Sequence, residues 1–141
     1  MIEFHYQNDF QPIDSQKYSA WLQAVARSEQ QTIGDLSYVF CSDEFLLQIN
    51  QEHLNHDTYT DIITFDYSQD GLLHGEIYIS TDRVGENAVS FRESVISELH
   101  RVMVHGLLHL CGYGDKTEEE IALMRSKENE MIALMTDQII N

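Results

Sequence analysis

Two histidines, His105 and His109, stand four residues apart, and an aspartate, Asp115, follows six positions later. Side chains four apart on a helix project from one face, so a single ion can reach both imidazoles. The chain must then leave the helix and double back to deliver a third ligand. Gly112 permits a left-handed stop, and Gly114 is expected to adopt a second unusual backbone conformation. A carboxylate is an acceptable zinc ligand, and three protein ligands leave a position open for water, the mark of a catalytic site. An i,i+4 histidine pair alone occurs on many helices for other reasons. The glycines and the carboxylate that follow distinguish this one, and the chemistry they point to is hydrolysis at one divalent ion, zinc first.

Metal-binding helices of the H-E-x-x-H kind carry a glutamate after the first histidine as general base, and here that position is Gly106. The peptidase mechanism therefore lacks its base. The small residue is instead expected to open space beside the ion, where a phosphodiester fits, its phosphoryl oxygen polarised and a bound water brought towards a pKa of about 7. Cys111, two residues past His109, belongs to a different helix face and reads as packed or free. His5, His53, His56, His74 and His100 have no spacing partner. A second patch, Tyr59-Thr60-Asp61 running into Ile62-Ile63-Thr64-Phe65, enters a strand. Thr60 and Asp61 either line a cleft beside the metal or make local backbone bonds in a turn.

These residues need a scaffold, and periodicity supplies one. Residues 2–6 alternate as a short strand. Pro12 and Asp14-Ser15 mark a turn and a helix start, with Tyr18, Trp21, Leu22, Val25 and Ala26 at helical spacing. Gly34 is expected to break the chain before a strand over Leu36–Ser42. Ser42 suits an N-cap, and Phe45, Leu46 and Ile49 give the next helix its stripe, with His53 a further candidate. Strands around 61–67 and 72–80 form a hairpin through Gln69-Asp70-Gly71. Ser80 or Thr81 caps a helix over about 82–91. A longer helix over about 93–110 carries Val95, Ile96, Leu99, Val102, Met103, Leu107 and Leu110 on one broad apolar face. Thr117 and Glu120 form a capping box for the last helix, with Ile121, Leu123, Met124, Met131, Ile132 and Leu134 as its apolar side. The expected fold is α+β: about four strands in one mixed sheet with about five helices, the metal-site helix central.

At 141 residues with 43% apolar content, the chain suits one compact domain over 1–141 that needs no disulfide staples. Cys41 and Cys111 read as free thiols. No apolar run spans a membrane. The opening MIEFHYQNDF lacks the basic flank and apolar centre of a secretory signal, so the cytoplasm is expected. Net charge is −16, which by itself speaks against nucleic acid. The distribution softens that objection: residues 83–127 hold six of the eight basic residues and seven of the 24 acids, a net of −1 against −15 elsewhere. Charges beyond a Debye length of about 8 Å are largely screened, so a polyanion can approach one face.

The sequence resembles the YbeY family of bacterial endoribonucleases over nearly its whole length. The family's H-G-x-L-H-L-x-G-Y motif stands here as His105-Gly106-Leu107-Leu108-His109-Leu110-Cys111-Gly112-Tyr113. Its T-D-V-L-S-F stretch appears as Thr60 to Phe65, and its G-D-I-x-I-S strand as Gly75 to Ser80. The resemblance implies an α+β fold, one zinc ion, cleavage of single-stranded RNA, a part in rRNA maturation, and association with the small ribosomal subunit. Two positions depart from it. Asp115 stands where the family usually has a third histidine, which adds negative charge and shifts metal preference towards harder ions. Leu54 stands where the family often has an arginine thought to contact substrate. Arg101, one turn before His105, is the cation placed to substitute.

The leading reading is metal-dependent hydrolysis of RNA phosphodiesters, with water or the ribose 2′-hydroxyl as attacking group. A peptidase on the same cage is the second, disfavoured by Gly106. A ribosome-associated binding module with a structural metal is the third, favoured by the acidic surface and the vacant arginine position.

Overall fold

The computed structural model describes residues 1–10, 12–53 and 60–140, with the backbone alone for 136–140. In chain order the elements are β1 (Ile2–Tyr6), α1 (Ser15–Ser28), β2 (Thr32–Cys41), α2 (Asp43–His53), β3 (Ile62–Asp66), β4 (Leu72–Ser80), α3 (Thr81–Ser90), α4 (Val95–Leu110) and α5 (Glu118–Ile140). The four strands form one mixed sheet in the order β1-β2-β4-β3, with β1, β2 and β4 parallel and β3 antiparallel to β4. The expected fold class is the one observed.

Local chemistry explains the boundaries. Asp14, Ser80 and Ser94 each cap a helix, accepting from Lys17, Arg83 and Ser97 backbone N–H groups. Ser42 does the same for the Phe45 N–H. The hairpin turns on Asp70 (φ 51°) and Gly71 (φ 79°), two consecutive left-handed residues whose twist matches that of the paired strands. Gly34 does not end a loop, as its breaker character suggests. It lies inside β2 at a register irregularity between Ile33 and Leu36, where a Cβ would strike the His74 ring.

Alternation along the strands divides the interior. Tyr38, Phe40, Ile77 and Ile79 join a large core with Trp21 and Leu22 of α1, Leu99, Met103 and Leu107 of α4, and Met124 and Met131 of α5. Cys41 and Ile63 face a smaller cluster with Leu46 of α2, where Phe45 and Ile49 are only half-buried. Helix α4 packs on β3, β4, α1, α3 and α5, so it is central. Buried polar atoms of the core are satisfied across elements: Trp21 Nε1 donates to Met131 O and Tyr38 Oη to Met103 O, both at 2.8 Å, and Tyr18 Oη meets His100 Nε2 at 2.8 Å.

Four residues assigned to buried stripes are exposed. Val95 and Ile96 belong to the first turn of α4, beyond the neighbours that cover its later turns; Ile121 lies in the first turn of α5, and Leu123, in the second, lies off the buried line of Met124, Glu128 and Met131.

Candidate metal centre

The later turns of α4 carry His105 and His109 on one face. Nδ1 of His105 is 2.6 Å from Oε2 of Glu128, and Nδ1 of His109 is 2.9 Å from the carbonyl oxygen of Tyr113. Both partners are acceptors, so each Nδ1 carries the ring proton and each Nε2 turns inward with its lone pair. Those two Nε2 atoms lie 2.9 Å apart, and Oδ2 of Asp115 is 3.3 Å from one and 3.2 Å from the other. Three lone-pair atoms that close repel unless positive charge lies among them. Bonds of about 2.0–2.1 Å to a tetrahedral zinc place its ligand atoms about 3.3 Å apart, close to the spacing seen. The side chains His105, His109 and Asp115 thus form a group able to hold a metal ion.

The two imidazoles arrive through their helix register, whereas Asp115 depends on the turn after α4. Gly112 takes φ 104°, a left-handed stop that a side chain would strain. Gly114 has no such φ, contrary to expectation, and its smallness serves proximity instead. A Cβ there would lie 2.6 Å from Oε2 of Glu120. That carboxylate is the far half of the capping box: Oε1 of Glu120 accepts from the N–H groups of Lys116 and Thr117, and Thr117 Oγ1 accepts from the Glu120 N–H. Tyr113 is pinned in turn by its hydroxyl, which donates to Glu29, the C-cap of α1, at 2.5 Å.

Glu128 had no place among the candidates, and it is the carboxylate that organises the site. Its side chain is 5% exposed and takes Arg101 Nη1 at 3.0 Å on one oxygen and His105 on the other. Burial pushes its pKa up, but the hydrogen bonds from His105 and Arg101 outweigh that and hold it below the usual carboxylate range. For His105, burial lowers the pKa, and the bond and charge of Glu128, with Asp115 and Asp61 behind it, more than reverse the effect. A carboxylate on the outer nitrogen of a ligating imidazole fixes its tautomer and raises its basicity. The sequence does carry a signal: Glu128 interrupts the buried series Met124, Met131 and Met135 on α5.

An open cleft of about 340 Å³ adjoins this group, lined by Asp61, Glu98, Arg101, His105, Asp115 and Glu128 among others. Asp61 therefore reaches the cleft. Thr60 does not line it, and its hydroxyl donates to Ile62 O at 3.4 Å, the local backbone bond that a turn provides. Arg101 lines the cleft with its guanidinium shared between Glu128 and Asn129 Oδ1. Glu98, absent from the sequence reading, is 4% exposed, and burial raises its pKa above the usual carboxylate range against the pull of Arg101. Glu98, Arg101, His105 and His109, three or four positions apart on α4, form a polar stripe. Leu54, His56 and Tyr59 lie outside the described residues.

Gly106 does not open space beside the imidazoles. It is buried against the sheet, where a Cβ would come within 2.9 Å of both Ile62 Cδ1 and Ile77 Cγ2. Helix and sheet approach so closely there that no glutamate fits. Cys111, the C-cap of α4, is a free thiol whose pKa burial pushes up to about 11, outside the ligand group.

Comparison with known proteins agrees with this architecture. The solution structure of TM1509 from Thermotoga maritima superposes with a TM-score of 0.68 at 24% identity, over 96% of this chain and 89% of that one, a likeness of fold. The Endoribonuclease YbeY of Flavobacterium psychrophilum is 50% identical over 95% of this chain and 96% of its own. That of Christiangramia forsetii is 53% identical over 94% and 93%. The sequence profile described as Endoribonuclease YbeY matches residues 3–136, a span that includes His105, His109 and Asp115, and the chain belongs to the Endoribonuclease YbeY family.

Proposed function

We propose that the protein is a metal-dependent endoribonuclease specific for single-stranded RNA, acting in rRNA maturation and ribosome quality control in the cytoplasm. The observation that carries the hydrolytic part is the convergence of His105 Nε2, His109 Nε2 and Asp115 Oδ2 within 3.3 Å of one another, beside a cleft. Two neutral imidazoles and one carboxylate suit zinc, with other divalent ions tolerated, and one ion per chain. When bound, such an ion polarises a phosphoryl oxygen and acidifies water.

The chain's own residues supply the rest. Glu128 and the Tyr113 carbonyl hold the imidazole tautomers, so the ligand nitrogens are aimed before any ion arrives. Arg101 balances the buried Glu128 charge while its guanidinium faces the cleft, where a phosphate enters. Asp61 lines the same cleft, and Thr60 makes the local backbone bond of the turn that delivers it. Small-subunit rRNA and its assembly factors are the proposed partners, which the family membership supports. Among the described residues no helix is long and apolar enough to cross a membrane.

The test is cleavage of a labelled single-stranded oligoribonucleotide by zinc-loaded wild type and by His109→Ala, with circular dichroism confirming that both fold. Cleavage by wild type that a chelator abolishes, and that the variant lacks, supports the reading. Equal cleavage by the two proteins overturns it. A 2′,3′-cyclic phosphate on the product identifies the ribose hydroxyl as the attacking group.

A further inference from the structure

The cleft has a mouth that the metal chemistry leaves unused. Phe91 and Ile121 line it together with Met124 and Arg125. Phe91 is 59% exposed and Ile121 52% exposed, although both are large and apolar. Isolated exposed apolar residues are common, but two on the walls of one polar cleft are a feature to explain. Phe91 is also held rigidly. It is the C-cap of α3, its N–H donates to Asn87 O at 2.9 Å, and the next residues close the turn through Arg92 N–H to Val89 O and Glu93 N–H to Ala88 O. That turn requires a left-handed residue, and Arg92 occupies it at φ 56°, where glycine would be strain-free. The Phe91 ring is thus presented to solvent by a fixed backbone.

Cations are scarce around it. In the cleft, Arg101 is committed to Glu128 and Asn129, whereas Arg125 makes one ion pair among the described residues, at 3.6 Å to Glu128, and keeps 57% of its side chain exposed. With Asp61, Glu98, Asp115 and Glu128 lining the same space, phosphate neutralisation supplies little attraction. Proteins that bind unpaired strands add the missing affinity by stacking bases on aromatic rings. Resting on the reading that RNA is the substrate, we infer that Phe91 and Ile121 clamp one unpaired nucleobase at the cleft mouth, the base stacked on Phe91 and its phosphate at Arg125. A cleft of about 340 Å³ admits a group of nucleotide size and not a folded surface. A paired base, its faces already covered by neighbours, cannot enter, which gives the site its preference for single strands.

The experiment is steady-state cleavage of a single-stranded oligoribonucleotide by zinc-loaded wild type and by Phe91→Ala, Phe91→Leu and Phe91→Trp. Because Phe91 is exposed, these variants fold; melting curves verify that. Loss of a stacked base corresponds to about 5- to 100-fold weaker binding, so KM for Phe91→Ala rises by that factor with kcat nearly unchanged. Phe91→Leu loses most of the same affinity, because it keeps the apolar area without the ring face. Phe91→Trp keeps wild-type KM, and added RNA quenches its new emission. Val89→Ser, at an exposed site outside the cleft, serves as control and changes nothing. The salt dependence is shallow, with a log–log slope no steeper than about −1.5 for one or two phosphates on a single strand. Wild-type KM in Phe91→Ala, or equal KM in wild type and Phe91→Leu, overturns the clamp while RNA cleavage itself stands; the apolar corner then belongs to a protein contact. Failure of wild type to cleave any RNA overturns the underlying reading, and the clamp with it.

Discussion

Oε2 of Glu128 sits 2.6 Å from Nδ1 of His105, so a carboxylate from α5 grips the outer nitrogen of an imidazole whose inner nitrogen meets His109 and Asp115. The grip is charge-assisted and buried, which makes it strong and costly to disturb.

Removing it should loosen metal more than it loosens the fold around the ligands. Partners of this kind alter metal affinity by about 10- to 100-fold. Glu128→Ala is expected to lose zinc affinity within that range, and Glu128→Gln, which still accepts from Nδ1, to lose less. Competition with a chromophoric chelator measures both, and wild-type affinity in Glu128→Ala would refute the role.

Asp115 is the ligand on which the metal's identity depends. Asp115→Ala should purify with substoichiometric zinc by elemental analysis, because two imidazoles alone hold an ion weakly. Asp115→His should regain a full equivalent and show a stronger preference for zinc over manganese than wild type, nitrogen being the softer donor. Full zinc occupancy in the alanine variant would remove Asp115 from the cage.

Gly106→Glu tests whether a peptidase lies one substitution away. The new side chain meets Ile62 and Ile77 where even a methyl is too close, and it buries a charge. Destabilisation of about 3 kcal/mol or more is expected, seen as a large drop in melting temperature with no casein cleavage. A stable variant would mean that α4 can lift from the sheet.

Glu98 makes a prediction about pH. Burial raises its pKa in the folded state, and Arg101 and Arg125 are outweighed, while Asp61 and Glu128 add to the rise. A carboxyl raised on folding binds its proton more tightly in the native state than in the unfolded one. It therefore penalises stability once pH passes the ordinary carboxylate value of about 4.3. Glu98→Gln should raise the melting temperature at pH 7 and leave it nearly unchanged near pH 4. A stability loss at pH 7 would show that the carboxylate form is held by partners.

Much of this was legible before any coordinates. Apolar spacing gave the nine elements, because a helix or strand that buries one face must repeat that face along its sequence. The serine and aspartate caps and the Asp70-Gly71 turn are local devices, readable over four residues. The metal group was legible for the same reason, since His105, His109 and Asp115 lie within eleven positions. Glu98 and Glu128 were not, because a charge in an apolar stripe has meaning only when the partner that neutralises it is known, and Arg101 meets Glu128 from another helix. Gly106 was misread from the helix alone: whether a missing side chain makes room for substrate or for a strand is decided by the sheet behind it. Val95, Ile96 and Ile121 follow the period of their helices past the point where anything covers them, whereas Leu123 lies off the buried line of Met124, Glu128 and Met131.

His105 and the acid that orients it are 23 positions apart, on different helices. An α4 that has formed before α5 packs against it presents both imidazoles without the carboxylate that orients the first of them. Until then the imidazole is free to flip and either nitrogen can carry the proton. Maturation of the centre thus waits on the docking of the final helix.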